Sequence, residues 1–382
     1  MATNGNGNGA NSGQGKLGMP GLQIQGGAAI VAPVAAFQGA IPPNALVVVP
    51  VNKPTDELKA KLSEGPLVVT QDQLWQLLGF NGPAVQVMDD QGRPLAIGLE
   101  DLLAGLEKHW NEDQNDLNRG RIYAQELLKH QRVQRAEQVL SKLVAKGGSG
   151  DDWLALGIAQ LQQDKHDKAE ATLKGAMSLL KDNPYPSLHL ARLAHKKEDR
   201  AAEDENITKA LATDPGCVDA WAYLYQTVRD RDGEDKALEA LEERSKGQRN
   251  AAPWVAAQGF YAGKEATRPK AIEFALRGVA SNEDDPVALL CLSALYGQAG
   301  QLDKVVELLG KHENKMTGHL HLANNYFEAL FQTRQIDKVT RLLNALAGSG
   351  NKEVKQFAIQ RSQLVAQYLQ QQQARLAAAA KA

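Results

Sequence analysis

The apolar positions of this chain come in two textures. Up to about residue 116 they form short runs broken by Pro and Gly; beyond it they recur at helical spacing, and from Gly150 onward in a fixed 34-residue cycle. The first copy sets Trp153, Leu156 and Gly157 at i, i+3 and i+4, then Ala169, Leu173 and Ala176 at i, i+4 and i+7. Each set lies on one face of a helix, so the cycle predicts a pair of antiparallel helices, A and B. Stepping by 34 from Ala169 meets Glu203, Ala237, Ala271, Val305 and Val339. The residue before this slot is Lys168, Ala202, Lys236, Lys270, Lys304 and Lys338. Four places after it stand Leu173, Ile207, Leu241, Ala275, Leu309 and Leu343, and upstream Leu156, Leu190, Leu224, Gln258, Leu292 and Tyr326. A cycle that holds through six copies predicts stacked units, each sheltering the next one's apolar face. Glu203 and Gln258 depart from the apolar chemistry of their slots, so packing must differ there.

Gly157 is informative by its cost. A glycine inside a helix loses about 1 kcal/mol relative to alanine. Its presence predicts a close approach by the second helix, with Leu173 filling the groove between the small Ala169 and Ala176.

At these positions the array resembles the tetratricopeptide repeat family. The first unit meets that family's pattern with Trp153, Leu156, Gly157, Ala169, Leu173 and Ala176. The second supplies Leu190, Ala191, Ile207, Ala210 and Pro215, and the third Trp221, Leu224, Ala237 and Leu241. The fourth, with Trp254 one place out of register, is degenerate in helix A but keeps Ala271. The fifth carries Leu292, Tyr296, Gly300 and Leu309, and the sixth Tyr326, Leu343 and Leu346. The resemblance implies a mainly α architecture, a solenoid of helix hairpins over residues 117–353. Residues 117–150 form an irregular first hairpin, in which Ala136 and Leu140 stand one residue out of phase. Residues 354–382 read as a capping helix and tail, with Phe357, Leu364, Val365, Tyr368 and Leu369 toward the array and a Gln-rich far side.

The leading segments differ in kind. Residues 1–45 hold ten of the 34 glycines, several asparagines and no acidic residue, and read as a disordered low-complexity tail. Its glycines lack the strand before and the Gly-Lys-Ser/Thr after that a phosphate loop requires. Residues 46–116 read as a small α+β module. A short strand is expected at Leu46–Val51 and helical turns at Thr55–Leu62. Thr70 caps a helix in capping-box register with Gln73, and Gly79 stops it. A hairpin is expected with Ala84–Met88 and Pro94–Ile97 around Asp89–Gly92, and an amphipathic helix over Leu99–Trp110.

Charge limits the partners. The chain carries a net −2 overall, and residues 46–116 carry 12 acidic side chains against five basic ones. A helix followed by a wing in that module would need cations to displace phosphate counterions, so nucleic-acid binding is not expected. No run reaches the roughly 18 apolar residues of a membrane span, and the apolar Gly27–Ala36 stretch is too short and weakly flanked to read as a secretory signal. Cytoplasmic residence is the default expectation. The two cysteines, Cys217 and Cys291, read as small buried hydrophobes.

Nor does the chain spell out a reaction. It holds no His-Glu-x-x-His, Gly-x-Ser-x-Gly or Cys-x-x-Cys, and His319 and His321 at i, i+2 diverge on a helix. No catalytic residue, metal or cofactor is expected. The expectation is a protein or peptide partner held by a non-catalytic scaffold or adaptor. The resemblance implies a concave groove lined by helix A faces. Its slots hold Leu154, Ile158, Tyr185, Leu188, Arg192, Asp219, Ala222, Gln226, Arg229, Asn324 and Glu328. The partner-binding candidates are Tyr185, Leu188, Arg192, Gln226, Arg229, Asn324 and Glu328. Some relatives clamp a peptide carboxylate with Lys and Asn at slots filled here by Leu154 and Ile158, so that clamp is missing. Two alternatives stay open: a self-assembling structural protein, and an accessory subunit whose 46–116 module carries an activity.

Overall fold

The computed structural model describes residues 28–31, 47–48, 67–70, 84–88 and 94–379, with side chains from Gly98 to Arg375. The chain separates into two compact units, Ala10–Leu180 and Lys181–Ala382.

In the first unit, strand β1 (Ala28–Val31) pairs in parallel with β2 (Val47–Val48) and antiparallel with β3 (Leu67–Thr70). Thus β1 falls inside the stretch read as a tail, whose other residues lie outside those described. Strands β4 (Ala84–Met88) and β5 (Pro94–Gly98) pair antiparallel with Val85 opposite Ile97. The expected turn at Asp89–Gly92, the helical turns at Thr55–Leu62 and the helix capped by Thr70 lie outside the described residues.

Helices α1 (Leu99–Glu112), α2 (Leu117–Lys129) and α3 (Val133–Ala145) bury Leu103, Trp110, Tyr123, Leu127, Ala136, Leu140 and Leu143 in one core. Helix α4 (Gly150–Leu161) starts at a capping box, in which Ser149 and Asp152 each accept from the other's backbone N–H. The Asp152 side chain, only 5% exposed, also takes the Arg121 guanidinium at 2.8–3.1 Å. Helix α5 (His166–Leu179) packs antiparallel on α4 as the sequence demands. A Cβ at Gly157 would sit 2.7 Å from both Cγ and Cδ2 of Leu173, which is fully buried.

The second unit continues the cadence. A helices are α6 (Tyr185–Lys196), α8 (Val218–Asp232), α10 (Ala252–Gly259), α12 (Pro286–Gln298) and α14 (Leu320–Gln332). B helices are α7 (Arg200–Thr213), α9 (Glu234–Ser245), α11 (Arg268–Ser281), α13 (Leu302–Gly310) and α15 (Ile336–Ala347). From α5 through α15, every B helix starts 34 residues after the one before. The turn from A to B repeats as well: Asp164, Glu198, Gly233, Gly300 and Arg334 all adopt positive φ. This left-handed residue ends each A helix and frees the chain to reverse. The fourth pair is the exception: α10 has only eight residues, followed by a 3-10 turn at Glu265–Thr267, where Thr267 Oγ1 donates to the Tyr261 carbonyl at 2.7 Å.

Two adjoining cores run through this unit, one around Trp221, Tyr225 and Phe274, the other around Leu292, Tyr326, Phe327 and Leu343. Trp221 is 1% exposed and donates its indole N–H to the Pro215 carbonyl at 2.8 Å. The last helix, α16 (Lys352–Ala379), spans about 42 Å at 1.5 Å per residue. It buries Val354, Ala358 and Val365 and leaves Gln356, Gln360, Gln363 and Gln367 exposed. Leu364 and Leu369, expected to face the array, are exposed.

Candidate functional site

Because the repeat advances 34 residues from one pair to the next, one helix A slot recurs in successive pairs. That slot holds Arg192 in α6, Gln226 in α8 and Phe260 immediately after α10, all exposed. What distinguishes this row is the support beneath it, built on two tyrosines of α8.

Tyr223 donates its hydroxyl to Glu203 at 3.0 Å, and His195 Nδ1 lies 3.0 Å from the same carboxylate oxygen. The Glu203 side chain is 7% exposed. The departure at the small slot of α7 is therefore a buried acceptor with its partners in place, as an interior carboxylate requires. Burial, reinforced by Glu203, pushes the Tyr223 phenol above its ordinary pKa, so it stays a donor. The Arg192 guanidinium lies over the Tyr223 ring, 5.6 Å from its centre. Among the described residues Arg192 meets no carboxylate within ion-pair distance. Near it, His189 is held down to about 3 by burial and then by Arg192, and so adds no charge at neutral pH.

Tyr225 repeats the device. Its hydroxyl donates to Glu234 at 2.9 Å, Tyr261 donates to the same oxygen at 2.6 Å, and Lys270 pairs with the other oxygen. Burial opposes the charge on Glu234, but the bonds from Lys270, Tyr261 and Tyr225 outweigh it and hold its carboxyl below the usual range. Arg229 lies 5.6 Å from the centre of Tyr225 and 4.9 Å from that of Phe260, and those rings are 5.2 Å apart. Its carboxylate partner is its own neighbour, Asp230, at 3.0 Å. A guanidinium over an aromatic face gains about 0.5–1 kcal/mol at such exposure. The N–H edge of Arg192 stays available for a carboxylate, whereas Arg229 already gives Nε and one Nη to Asp230.

Of the sequence candidates, Arg192 and Gln226 share one slot of successive A helices, and Arg229 stands three residues after Gln226 on α8. Tyr185 is 38% exposed, and its hydroxyl donates to Asp219 at 2.9 Å. Burial and Asp219 push that phenol up to about 12. Leu188 is corrected: it is fully buried in the core with Ile207 and Trp221, so it cannot meet a partner. Leu154 is likewise buried. Asn324 and Glu328 are also corrected, since α16 already engages them. Arg361 lies 3.2 Å from Asn324 and 3.1 Å from Glu328, with its guanidinium over Phe327 and Phe357 at 5.2 and 5.3 Å. The sequence reading missed Phe260, although it stands 34 places after Gln226, and missed the two tyrosines. Their signal was the Tyr-Leu-Tyr at 223–225 beside a carboxylate in an alanine slot.

His319 caps α14 and His321 is exposed on its first turn; among the described residues no group of three or more possible ligands could hold a metal. No helix among them is long and apolar enough to cross a membrane. Cys217 is buried and Cys291 partly buried, both as free thiols.

The six helix pairs in step, with small or apolar side chains buried at the matching slots, decide the architecture. The array is of the tetratricopeptide type. No family model matches the chain, and no curated protein does. Solved structures with similarity include MamA, at 18% identity over 39% of this chain and 90% of that one, with a TM-score of 0.34. YrrB, described as a tetratricopeptide protein with an unusual peptide-binding site, has 17% identity, covers 48% and 95%, and scores 0.31. A tetratricopeptide repeat protein from Parabacteroides merdae has 13% identity, covers 65% and 98%, and scores 0.30. The tetratricopeptide assignment rests on the chain's own helix cadence.

Proposed function

We propose that this chain is a non-catalytic interaction scaffold that captures a peptide segment of a partner protein on the helix A face of residues 185–264. The row Arg192, Gln226 and Phe260 carries this reading. All three side chains are exposed; Arg192 and the neighbouring Arg229 are seated on the Tyr223 and Tyr225 rings, and those rings are anchored by Glu203 and Glu234 within the fold. Aromatic and arginine side chains held in one conformation make strong contact points, because little entropy remains to be lost on binding. The segment before residue 117 would dock elsewhere or shield the first helices.

The test is selection of binders from a displayed peptide library against the full chain, followed by measurement on the Phe260→Ser and Arg192→Glu/Arg229→Glu variants. Selected peptides should lose at least tenfold in affinity on both. Peptides that bind all three proteins equally would place the contact off this face.

A further inference from the structure

The charge on this face narrows what it accepts. Arg192 has no carboxylate in reach, and Arg229 has only the solvent-exposed Asp230 beside it in sequence. Lys264, after α10, is exposed and also has no carboxylate in reach among the described residues. Asp219, on the first turn of α8, accepts the Tyr185 hydroxyl. The carboxylates that could have neutralised the arginines, Glu203 and Glu234, point into the fold and are consumed by tyrosine, histidine and lysine donors. Lys270 offsets the charge of Glu234, and the phenol hydrogen bonds to Glu203 and Glu234 polarise the Tyr223 and Tyr225 rings, which strengthens each ring's hold on its cation. The guanidinium planes are taken up by rings; the N–H edge of Arg192 stays open to take a carboxylate in bidentate fashion, while Nε and one Nη of Arg229 meet only the exposed Asp230. Phe260, 38% exposed, lies under Arg229, and Ala222, one turn before Gln226, is partly buried.

We infer that the occupant is an acidic peptide segment whose carboxylates bridge Arg192 and Arg229 and whose apolar side chain rests on Phe260. This rests on the proposed use of the face for peptide capture. Glu203 and Glu234 are positioning residues: each fixes a tyrosine, and the tyrosine fixes an arginine.

The test uses fluorescence anisotropy on the full chain with three labelled peptides, built of Glu-Glu-Leu, Gln-Gln-Leu and Lys-Lys-Leu repeats. The Glu-Glu-Leu peptide should bind at least tenfold more tightly than the Gln-Gln-Leu peptide and weaken steeply with added salt. Arg192→Gln/Arg229→Gln should lower its affinity at least tenfold, with the far-UV circular dichroism unchanged because neither side chain belongs to the buried core. Tyr223→Phe, which keeps the ring and removes the bond to Glu203, should lower it severalfold. Equal binding of the Gln-Gln-Leu peptide, sensitive to Phe260→Ser, would overturn the acidic preference and leave the face in use. Preference for the Lys-Lys-Leu peptide, or no binding of any peptide, would also overturn it. Glu-Glu-Leu binding unaffected by the arginine pair and by Phe260→Ser would overturn the choice of face itself.

Discussion

Replacing Gly157 with alanine sets two effects of known sign against each other. Helix propensity favours the change by about 1 kcal/mol. The fold opposes it: the new Cβ would stand 2.7 Å from Leu173 Cγ and Cδ2, with the Leu173 backbone nitrogen at 3.5 Å. Leu173 is fully buried between Ala169 and Ala176, so it has no open side to turn toward. Overpacking of this kind costs about 1–3 kcal/mol. The expected net is a loss of up to about 2 kcal/mol in place of the usual gain. Urea unfolding followed by far-UV circular dichroism reads it, with Gly297→Ala as the control. Gly297 is helical with no atom within 4 Å of an added Cβ, and that variant should gain up to about 1 kcal/mol. A cycle with Leu173→Ala isolates the contact. Alone that change costs about 2–5 kcal/mol, but the methyl group added at position 157 would fill part of the space, so the pair should couple by about 1–3 kcal/mol. A Gly157→Ala protein as stabilised as the control, with an additive double variant, would refute the close approach.

Trp221→Ala should destabilise the array by about 3–5 kcal/mol, since it empties a buried site and removes the indole bond to the Pro215 carbonyl, which keeps only Asn250 as donor; an unchanged thermal midpoint would contradict the buried role. Asp152 is held below the ordinary carboxylate range: burial opposes its charge, and the hydrogen bonds from Arg121 and Ser149 outweigh that. Its folded pKa being depressed, the stabilisation is complete above the unfolded value of about 3.9 and is lost as pH falls through the folded one. Urea midpoints of wild type and Asp152→Asn should therefore differ at pH 7 and converge in acid; a constant gap would exclude linkage through this group. Glu198 sits at φ 58 in the turn between α6 and α7. A left-handed conformation costs a non-glycine residue about 1–2 kcal/mol, so Glu198→Gly should raise the thermal midpoint. A lower midpoint would show that the Glu198 side chain stabilises the turn by more than the backbone costs.

The cadence of helices was legible in the residues alone. Spacing of small and apolar side chains is a local property, and with a period of 34 each slot in one pair predicts the same slot in the next. That is why Gly157, Leu173, Ala176 and Trp221 are buried where the pattern places them. Even the weakness of the fourth pair showed, as the displaced Trp254 and a shortened α10. The wet side of a helix was a different matter, because it depends on what distant chain arrives against it. Leu188 occupies a slot that faces a groove by register, yet neighbouring helices close over it. Asn324 and Glu328 have the right slots too, but Arg361, from a helix outside the cycle, takes both. Glu203 read as a flaw because its hydrogen-bonding partners, Tyr223 and His195, come from other helices. Periodicity assigns each side chain a direction along its own helix axis; only tertiary packing decides whether it meets water, a core or a partner's charge.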